Sequence, residues 1–270
     1  MTGPFALPDG LPAWLLPLAE ALPSVRPEQV SRFLPPATGG RRSAVLICFG
    51  EGPSGPDVLL IERAATLRSH AGQPAFPGGA QDPDDDGPVG AALREATEEV
   101  GLDPASVEVL GTLPDLWLPP SGFVVTPVVA WWREPHAVSA VDVAEVALVA
   151  RVPVADLTDP AHRLQVTHPS GWAGPAFDVG GLLVWGFTAG LLDAVLRLGG
   201  WERPWDRDRR RELDPEAVLL AARTTAPRPD GPRSDAPAAT VGSRPDGPGA
   251  AVGGTVTLPP PEEPATRDPS

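Results

Sequence analysis

The hydrophobic and polar positions of the 270-residue chain change periodicity along its length. Short apolar runs that are rich in β-branched residues and bounded by Gly and Pro are typical of strands. The first two runs are separated by the turn-forming stretch 51–56, which predicts a hairpin. The predicted strands are Ser43–Phe49, Asp57–Glu62, Val107–Leu113, Phe123–Trp132 and, as a strand pair or one strand with a turn, Val143–Val154.

Three segments have the apolar spacing or the residue types of helices. The clearest is Val89–Val100, preceded by Pro88, which a first helical turn tolerates, and followed by Gly101, a typical C-terminal cap. A second helix is predicted at Leu182–Leu198 and a short, Pro-interrupted one at Leu11–Leu22. This order of elements predicts an α+β fold, an α/β/α sandwich with a mixed β-sheet between helices.

The 37 prolines and 29 glycines are distributed unevenly and divide the chain into parts. From about Thr224 onward the residues are almost all small, polar or Pro, and such a stretch cannot offset the entropy of ordering the chain. We therefore expect a disordered Pro/Gly-rich tail at 223–270. The main folded domain is expected at 42–222, after an N-terminal extension with a short helix at 1–41.

Charge and cysteine content limit the partners and the compartment. The formal net charge of −14 argues against nucleic acid as a partner. The longest apolar stretch, Val179–Leu192, is shorter than the roughly 18 residues of a membrane span, and the N-terminal residues lack a secretory signal pattern. Cys48, the single cysteine, allows no disulfide within the chain and is expected to be buried in a strand. These features favour a cytoplasmic protein without a membrane partner.

The predicted helix at Val89–Val100 carries four charged residues in a pattern that indicates metal chemistry. Spacings of three and four residues place Glu95, Glu98 and Glu99 on one face, with Arg94 beside them. Clustered carboxylates repel one another unless a cation lies among them, and Mg²⁺ or Mn²⁺ prefers such oxygen ligands. Because a glutamate string is also common on an ordinary solvated helix face, the flanking sequence must decide between the two interpretations.

The sequence around this helix resembles the Nudix box. The segment Arg94–Leu102 matches the core Arg-Glu-apolar-x-Glu-Glu-x-Gly-apolar at every specified position, and the tight turn Phe76–Gly79 precedes it. The resemblance implies a hydrolase of substrates in which a nucleoside diphosphate is linked to another group, with Mg²⁺ or Mn²⁺ as cofactor. The implied catalytic residues are Arg94, Glu95, Glu98 and Glu99, and the implied metal ligands are Glu95, Glu98 and Glu99.

Segments on both sides of the box are similar to the coenzyme A pyrophosphatase branch of the Nudix family. The resemblance spans roughly Arg42–Gly200, which makes 42–222 a Nudix hydrolase domain. It implies cleavage of coenzyme A or an acyl-CoA to 3′,5′-ADP and 4′-phosphopantetheine, so the partner is a small, CoA-like nucleotide. The similar segments are Leu59–Arg63, Leu67–Gln73, Phe76–Gly79, Ser121–Phe123, Pro127–Val129 and Trp185–Gly190.

One part of the box departs from the general pattern. Counting back from Arg94, Ala80 occupies the position usually held by glycine, and Asp86 occupies that of the first glutamate. The loop is one residue longer than standard. The coenzyme A branch has a Gly-Gly-x-x-Asp-x-x-Asp pattern here, which is fitted by Gly78, Gly79, Asp82 and Asp85. The departure leaves the role of Asp86 open.

Basic residues and the glycine turn upstream of the helix are the candidate contacts to the substrate. Arg63, Arg68 and His70 are expected to bind phosphate, for which the planar guanidinium of Arg is well suited. Gly78 and Gly79 would bring the backbone close to the ligand. For each of the three side chains, a salt bridge or a hydrogen bond within the loop is an alternative role.

Further residues outside the box are candidates for additional roles. Glu145 is expected to be either another metal ligand or base, or an ordinary acid at a strand edge. Glu95 is the other candidate for the base, so the residue that accepts the proton is left open. Trp117 is a candidate for stacking on adenine, and Gln73 is expected to shape the loop before the glycine turn.

Two alternatives to coenzyme A hydrolysis are compatible with the sequence. ADP-ribose or another nucleoside diphosphate derivative fits the same chemistry, and Pro119 and Pro120 follow the box at a distance broadly like that of a proline in some ADP-ribose hydrolases. The other alternative is a non-catalytic Nudix-fold protein that binds a nucleotide, which would be marked by loss of box carboxylates. All three box glutamates are present, which favours an enzyme. The oligomeric state is open, a homodimer included.

Overall fold

The structure is a computed structural model that describes residues 7–67, 70–119, 121–215 and 218. The predicted tail at 223–270 and the candidate phosphate contact Arg68 lie outside the described residues. The helices are α1 (Leu16–Ala21), α2 (Pro27–Val30), α3 (Gly87–Val100), α4 (Val154–Thr158) and α5 (Gly186–Leu198). The strands are β1 (Arg41–Gly52), β2 (Gly55–Arg63), β3 (Pro74–Ala75), β4 (Gly78–Ala80), β5 (Val107–Thr112), β6 (Leu116–Leu118), β7 (Phe123–Trp132), β8 (Val146–Pro153), β9 (Arg163–Thr167), β10 (Ala173–Val179), β11 (Leu182–Val184) and β12 (Arg210–Glu212).

Strand β1 is the centre of a mixed sheet. One edge of β1, over residues 41–49, runs parallel to β7. Its other edge is antiparallel to β4 near the start and to β2 near the end, where the β1–β2 hairpin turns between Gly52 and Gly55. Strands β3 and β8 extend the sheet beyond β2, and β5 and β6 extend it beyond β7. The predicted hairpin and the predicted mixed sheet are therefore confirmed.

Alternation along β1 sends its side chains into two different cores. Leu46 and Cys48 are completely buried in the core that contains α3, whereas Ile47 and Phe49 are buried in the core that contains α1 and α5. Consecutive residues of a strand point to opposite faces, so a strand covered on both faces is apolar throughout. Each large apolar side chain buried in this way stabilises the folded state by about 1.5–3 kcal/mol relative to an exposed one. The predicted α/β/α sandwich is confirmed, and Cys48 is a buried strand cysteine as predicted.

Helix α3 begins and ends close to the positions that the sequence predicts. Pro88 lies in its first turn, and Gly101 ends it in a left-handed conformation with φ of +71°. This conformation is strained for other residues, and it turns the chain so that the N–H of Leu102 reaches the carbonyl of Ala96 at 3.3 Å. Ala92 and Ala96 are completely buried, so their small side chains allow the helix to lie close to β1. This packing brings the charged residues of the helix next to β4.

A second sheet, absent from the sequence-based prediction, consists of β11, β10, β9 and β12 in that order. The predicted helix at Leu182–Leu198 is wrong at its start, because Leu182–Val184 form β11 and α5 begins only at Gly186. A short apolar run fits a buried strand as well as a buried helix. Antiparallel pairing of this run with β10 decides in favour of the strand.

Smaller corrections concern segments next to the candidate site. The loop predicted between Arg63 and Asp86 contains two short strands, because β3 pairs with β2 and β4 pairs with β1. The run Val143–Val154 is a single strand, β8, which begins only at Val146. Val154 already starts α4. Tertiary pairing therefore sets these boundaries more than local residue preference does.

Helix α1 lies within the segment predicted to form a short N-terminal helix. Leu15, Leu18 and Ala19 are completely buried in the core that also contains α5. The segment therefore contributes to the same core as the main sheet. Within the described ranges, no helix is both long enough and apolar enough to cross a membrane. The cytoplasmic location stays a prediction.

Candidate active site

A hydrogen bond between the glycine turn and helix α3 fixes the geometry of the candidate site. The backbone N–H of Gly78, at the start of β4, donates to Oε2 of Glu99 at 2.9 Å. Strand β4 is held in place because it pairs with the first part of β1. A Cβ atom on Gly78 would overlap the backbone of β1 at Ala44, so this close approach requires glycine. Gly78 therefore contacts a helix carboxylate through its backbone.

Gly79 leaves room for a second helix carboxylate. A Cβ atom on Gly79 would overlap the carboxyl group of Glu95. The Glu95 side chain is largely buried and accepts a 3.0 Å hydrogen bond from Nη1 of Arg94. Burial is the main cause that raises the pKa of Glu95, and the hydrogen bond from Arg94 opposes this rise. The glycine turn thus lies against two carboxylates that are one helical turn apart.

Glu99 is more deeply buried than Glu95, with 3% exposure of its side chain. The pKa of Glu99 is raised to about 7, mainly by burial; the hydrogen bond from the N–H of Gly78 and the charge of Arg63 oppose this rise, and the charges of Glu95 and Glu145 add to it. Nη1 of Arg63 lies 3.8 Å from Oε1 of Glu99, which is too far for a hydrogen bond. This buried Oε1 accepts no hydrogen bond from any described residue. Such an oxygen is costly to bury, and a cation would satisfy it.

Glu145 lies outside the helix but close enough to act on both buried glutamates. Its charge contributes to the raised pKa values of Glu95 and Glu99. The N–H of Ala64 donates to the backbone carbonyl of Glu145 at 2.8 Å, at the point where β2 and β8 pair. Glu145 itself is exposed. A third carboxylate, from a distant part of the sequence, is therefore added to the neighbourhood of the box.

Arg94 holds the loop that precedes the helix. Its Nε and Nη2 donate to the two carboxylate oxygens of Asp85 at 2.8 and 3.1 Å, and Nη2 also donates to the carbonyl of Ala80 at 3.1 Å. This bidentate pair lowers the pKa of Asp85 and raises that of Arg94. Arg94 therefore connects α3 to the loop that follows the glycine turn.

Glu98 and Asp86 are placed apart from the buried carboxylates. The Glu98 side chain is 59% exposed and accepts a 3.1 Å hydrogen bond from Nη1 of Arg94. It would have to leave Arg94 to join the other two box glutamates. Asp86 precedes α3 and makes no side-chain hydrogen bond to cap the helix. Asp85, rather than Asp86, is the acid that bonds to Arg94.

The segment that resembles the coenzyme A branch forms a closed loop beside Arg63. The N–H of Arg63 donates to the carbonyl of Gln73 at 3.1 Å, and the N–H of Gly72 donates to the carbonyl of Arg63 at 2.9 Å. Nδ1 of His70 lies 2.9 Å from Oε1 of Gln73. Arg63 therefore lies near the buried carboxylate of Glu99, while His70 bonds within its own loop. Their contacts to a substrate stay predictions.

The described residues fit a divalent cation by ligand chemistry. In residues 7–67, 70–119, 121–215 and 218, no three His, Cys, Asp or Glu side chains already form a metal-binding group. Glu95 and Glu99 nonetheless offer two neighbouring carboxylates, and one buried oxygen of Glu99 has no hydrogen-bond donor. Hard cations accept carboxylate oxygens and keep waters in their remaining positions. Glu98 and Glu145 are the further carboxylates whose charges act on Glu95.

Trp117 lies on β6, opposite Val124 of β7. Its backbone N–H donates to the backbone carbonyl of Phe33 at 3.2 Å, and its side chain is half-buried. Stacking of Trp117 on adenine stays a prediction. Pro119 is exposed, and Pro120 lies outside the described residues.

Comparisons with known proteins identify the family of this fold and site. The family model of the NUDIX domain matches residues 40–170. The chain is 40% identical over 178 residues to an uncharacterized Nudix hydrolase, NudL, of Cronobacter sakazakii, covering 61% of this chain and 85% of that protein. It is 38% identical over 190 residues to NudL of Citrobacter koseri, covering 63% and 93%. The chain belongs to the Nudix hydrolase family.

Family membership confirms the predicted enzyme class. Nudix hydrolases act on diphosphate bonds, bind nucleotide derivatives and generally use divalent metal ions, typically Mg²⁺ or Mn²⁺. Among solved structures, the chain is similar to RenU, a Nudix hydrolase from M. smegmatis. The sequence identity is 22%, the TM-score is 0.44, and the match covers 63% of this chain and 92% of that chain.

Proposed function

We propose that this protein hydrolyses the diphosphate bond of coenzyme A or an acyl-CoA to 3′,5′-ADP and 4′-phosphopantetheine, with Mg²⁺ or Mn²⁺ as cofactor. One observation carries the proposal: Arg63 and Gly78 lie in two of the segments that are similar to the coenzyme A pyrophosphatase branch, and both are close to the carboxylate of Glu99. The N–H of Gly78 donates to Oε2 of Glu99, and Nη1 of Arg63 lies 3.8 Å from Oε1. These contacts support the proposal that the segments suggesting the substrate and the helix suggesting the chemistry belong to one site.

Glu95 and Glu99 are the residues that would hold the metal ion, with Glu98 as a further ligand. When bound, the ion supplies Lewis acidity toward the diphosphate oxygens and neutralises part of their charge. Burial supports this assignment for Glu95 and Glu99, because it disfavours their ionised forms unless a positive charge is near. Arg94 is occupied by Asp85 and Ala80, so its role is to hold the helix and loop in position.

Glu145 and Glu95 are the candidates for accepting the proton of the attacking water. Attack forms a new P–O bond, the electrons of the broken P–O bond stay with the leaving phosphate, and the base takes one proton. A base must lie within hydrogen-bond reach of that water. Glu145 is exposed and its charge acts on Glu95 and Glu99, which supports it as the base or as an additional ligand.

Arg63 is the best-placed described residue for a phosphate contact. Its side chain is 22% exposed, and its nearest carboxylate oxygen is beyond hydrogen-bond distance. None of the described side chains forms a hydrogen bond to its guanidinium. The planar donors of Arg63 are therefore available to a diphosphate that lies against the box.

A hydrolysis screen with Mg²⁺ and with Mn²⁺ tests the proposal. The substrates are coenzyme A, acetyl-CoA, ADP-ribose, NADH and nucleoside triphosphates, and products are identified by mass. The variant Glu99→Gln should lose activity, whereas Glu20→Gln, at an exposed position of α1, should keep it. We expect the highest kcat/KM with coenzyme A or acetyl-CoA.

The outcomes separate the parts of the proposal. If ADP-ribose is cleaved much faster than coenzyme A, the coenzyme A assignment is wrong and the diphosphate chemistry stands. If the wild-type protein binds one of these compounds and cleaves none, the protein is a nucleotide-binding member of the family without activity. Equal activity of Glu99→Gln and the wild type would remove Glu99 from the metal site.

A further inference from the structure

A side-chain hydrogen bond in the loop beside Arg63 indicates a role for Gln73. Oε1 of Gln73 lies 2.9 Å from Nδ1 of His70. Because an amide oxygen only accepts hydrogen bonds, Nδ1 must carry the proton in this arrangement. Among the described residues, none forms a hydrogen bond to Nε2, the other ring nitrogen of His70.

The backbone of the same loop holds His70 in an uncommon conformation. Its φ is +55°, and it is the only residue other than glycine with a positive φ in the described part of the chain. Such a conformation is strained for a residue with a side chain and persists only when the surroundings enforce it. Here the loop is closed by the two backbone hydrogen bonds that join Arg63 to Gly72 and Gln73. Gln73 is thus connected to Arg63 through its backbone and to His70 through its side chain.

We propose that Gln73 is a positioning residue that fixes the neutral imidazole of His70 as the Nδ1–H tautomer and leaves Nε2 for the substrate. In a ring that carries protons on both nitrogens, Nε2–H could donate to a phosphate oxygen while Nδ1–H stays bonded to Gln73. An acceptor at Nδ1 is compatible with both the neutral and the charged ring, whereas a donor there is not. The phosphate contact of His70 rests on the proposed function, and the tautomer does not.

Nitrogen-15 NMR of the imidazole rings tests the tautomer in the full chain without substrate. The other histidines supply references for both forms. Nε2 of His136 accepts a 3.1 Å hydrogen bond from the N–H of Asp103 and Nδ1 lies 3.0 Å from a backbone carbonyl, so this ring is Nδ1–H. Nδ1 of His168 accepts a 3.1 Å hydrogen bond from the N–H of Ser170, so its neutral ring is Nε2–H. We expect the neutral ring of His70 to match that of His136.

Two substitutions at position 73 distinguish an acceptor from mere bulk. Gln73→Met has a similar length and keeps the backbone hydrogen bonds, but it removes the acceptor, so His70 should shift toward Nε2–H. Gln73→Glu keeps an acceptor oxygen and should retain Nδ1–H. The signals of His136 and His168 should not change in either variant. An Nε2–H ring at His70 in the wild type, or an unchanged tautomer in Gln73→Met, overturns the proposal.

A double-mutant cycle tests whether Gln73 acts through His70 in turnover. With coenzyme A as substrate, Gln73→Met and His70→Ala should each raise KM about tenfold with little change in kcat, and Gln73→Met should add nothing in the His70→Ala background. Additive effects would overturn the positioning role. If the tautomer is as proposed and neither variant changes KM, the substrate-facing role of His70 fails, although Gln73 still sets the ring. If no substrate in the screen is cleaved at all, the proposed function has failed, and the NMR result stands by itself.

Discussion

Gly78 and Glu99, 21 positions apart in sequence, are joined by a 2.9 Å hydrogen bond from a backbone N–H to a carboxylate oxygen. The bond connects the glycine turn Phe76–Gly79 to helix α3, which carries the Nudix box. Since the donor is a backbone group, residue 78 affects Glu99 only through the space that it occupies and the path of the chain. At the neighbouring Gly79, an added Cβ atom would instead overlap the carboxyl group of Glu95.

Alanine substitution of the two glycines should produce different defects. In Gly79→Ala the added methyl overlaps the carboxyl end of Glu95, a flexible group, so kcat/KM should fall about 10- to 100-fold with less than about 1 kcal/mol lost in stability. In Gly78→Ala the methyl overlaps backbone at Ala44, so the free energy of unfolding should fall by about 2–3 kcal/mol. Urea unfolding and hydrolysis assays on the same samples separate the two effects. Equal losses of stability would contradict the distinction.

Substitution of the box glutamates should follow their burial. Glu95→Gln and Glu99→Gln should lower kcat by at least about 100-fold, because each removes a carboxylate that is packed against the glycine turn. Glu98→Gln should lower kcat by only about tenfold, since Glu98 is exposed and bonded to Arg94. Mg²⁺ binding measured by calorimetry should weaken in the same order. A larger loss for Glu98→Gln than for Glu99→Gln would show that Glu98 leaves Arg94 to become the main ligand.

Glu99 should make the stability of the metal-free protein depend on pH. Its pKa of about 7 in the folded state lies above the usual 4.5, so the folded state binds this proton more tightly than the unfolded state does. This contribution is fully present below about pH 4.5 and is lost as the pH rises through about 7, a change of about 3 kcal/mol. With EDTA present, the urea concentration at the midpoint of unfolding should therefore decrease as the pH is raised from about 5 to about 8.

Two variants and one addition check the source of this pH dependence. Glu99→Gln should lose most of it, and Glu98→Gln, at an exposed position, should keep it. Mg²⁺ should raise the midpoint more at about pH 8 than at about pH 5, because the ion binds the ionised carboxylate. A wild-type midpoint that is constant with pH in EDTA would refute the prediction.

The two candidate acids before α3 should differ in their effect on stability. Asp85→Asn removes a buried carboxylate that accepts two hydrogen bonds from Arg94, so it should lower the free energy of unfolding by about 1–2 kcal/mol. Asp86→Asn should change it by less than about 0.5 kcal/mol. Thermal unfolding of both variants measures the difference. The loop assignment is incorrect if Asp86→Asn is the more damaging change.

Helix α3 could be predicted because its signals are local. Pro88 and Gly101 mark its ends, and the glutamate spacing defines its charged face without knowledge of the rest of the chain. The partners of that face could not be derived in the same way. The contact between Gly78 and Glu99 depends on the pairing of β4 with β1, and the approach of Glu145 depends on the pairing of β2 with β8.

The second sheet shows where local patterns give insufficient information. Its strands are short, β10 contains Gly174 and Pro175, and the run Leu182–Val184 is followed almost directly by helical sequence. Arg163 is 1% exposed, with its guanidinium over the rings of Phe177 and Trp205 and an ion pair to Asp193. Because arginine is seldom fully buried, the sequence alone does not predict that Arg163 lies in such an environment.

The end of helix α3 is tied to the loop that carries Glu145. The N–H groups of Ser139 and Val141 donate to the carbonyls of Val100 and Glu99 at 3.2 and 2.9 Å. Carbonyls in the last turn of a helix have no partner within the helix, so the loop supplies one. We therefore expect the helix end and this loop to move together, so that the carboxylates from the two parts of the chain would keep their relative positions when either shifts.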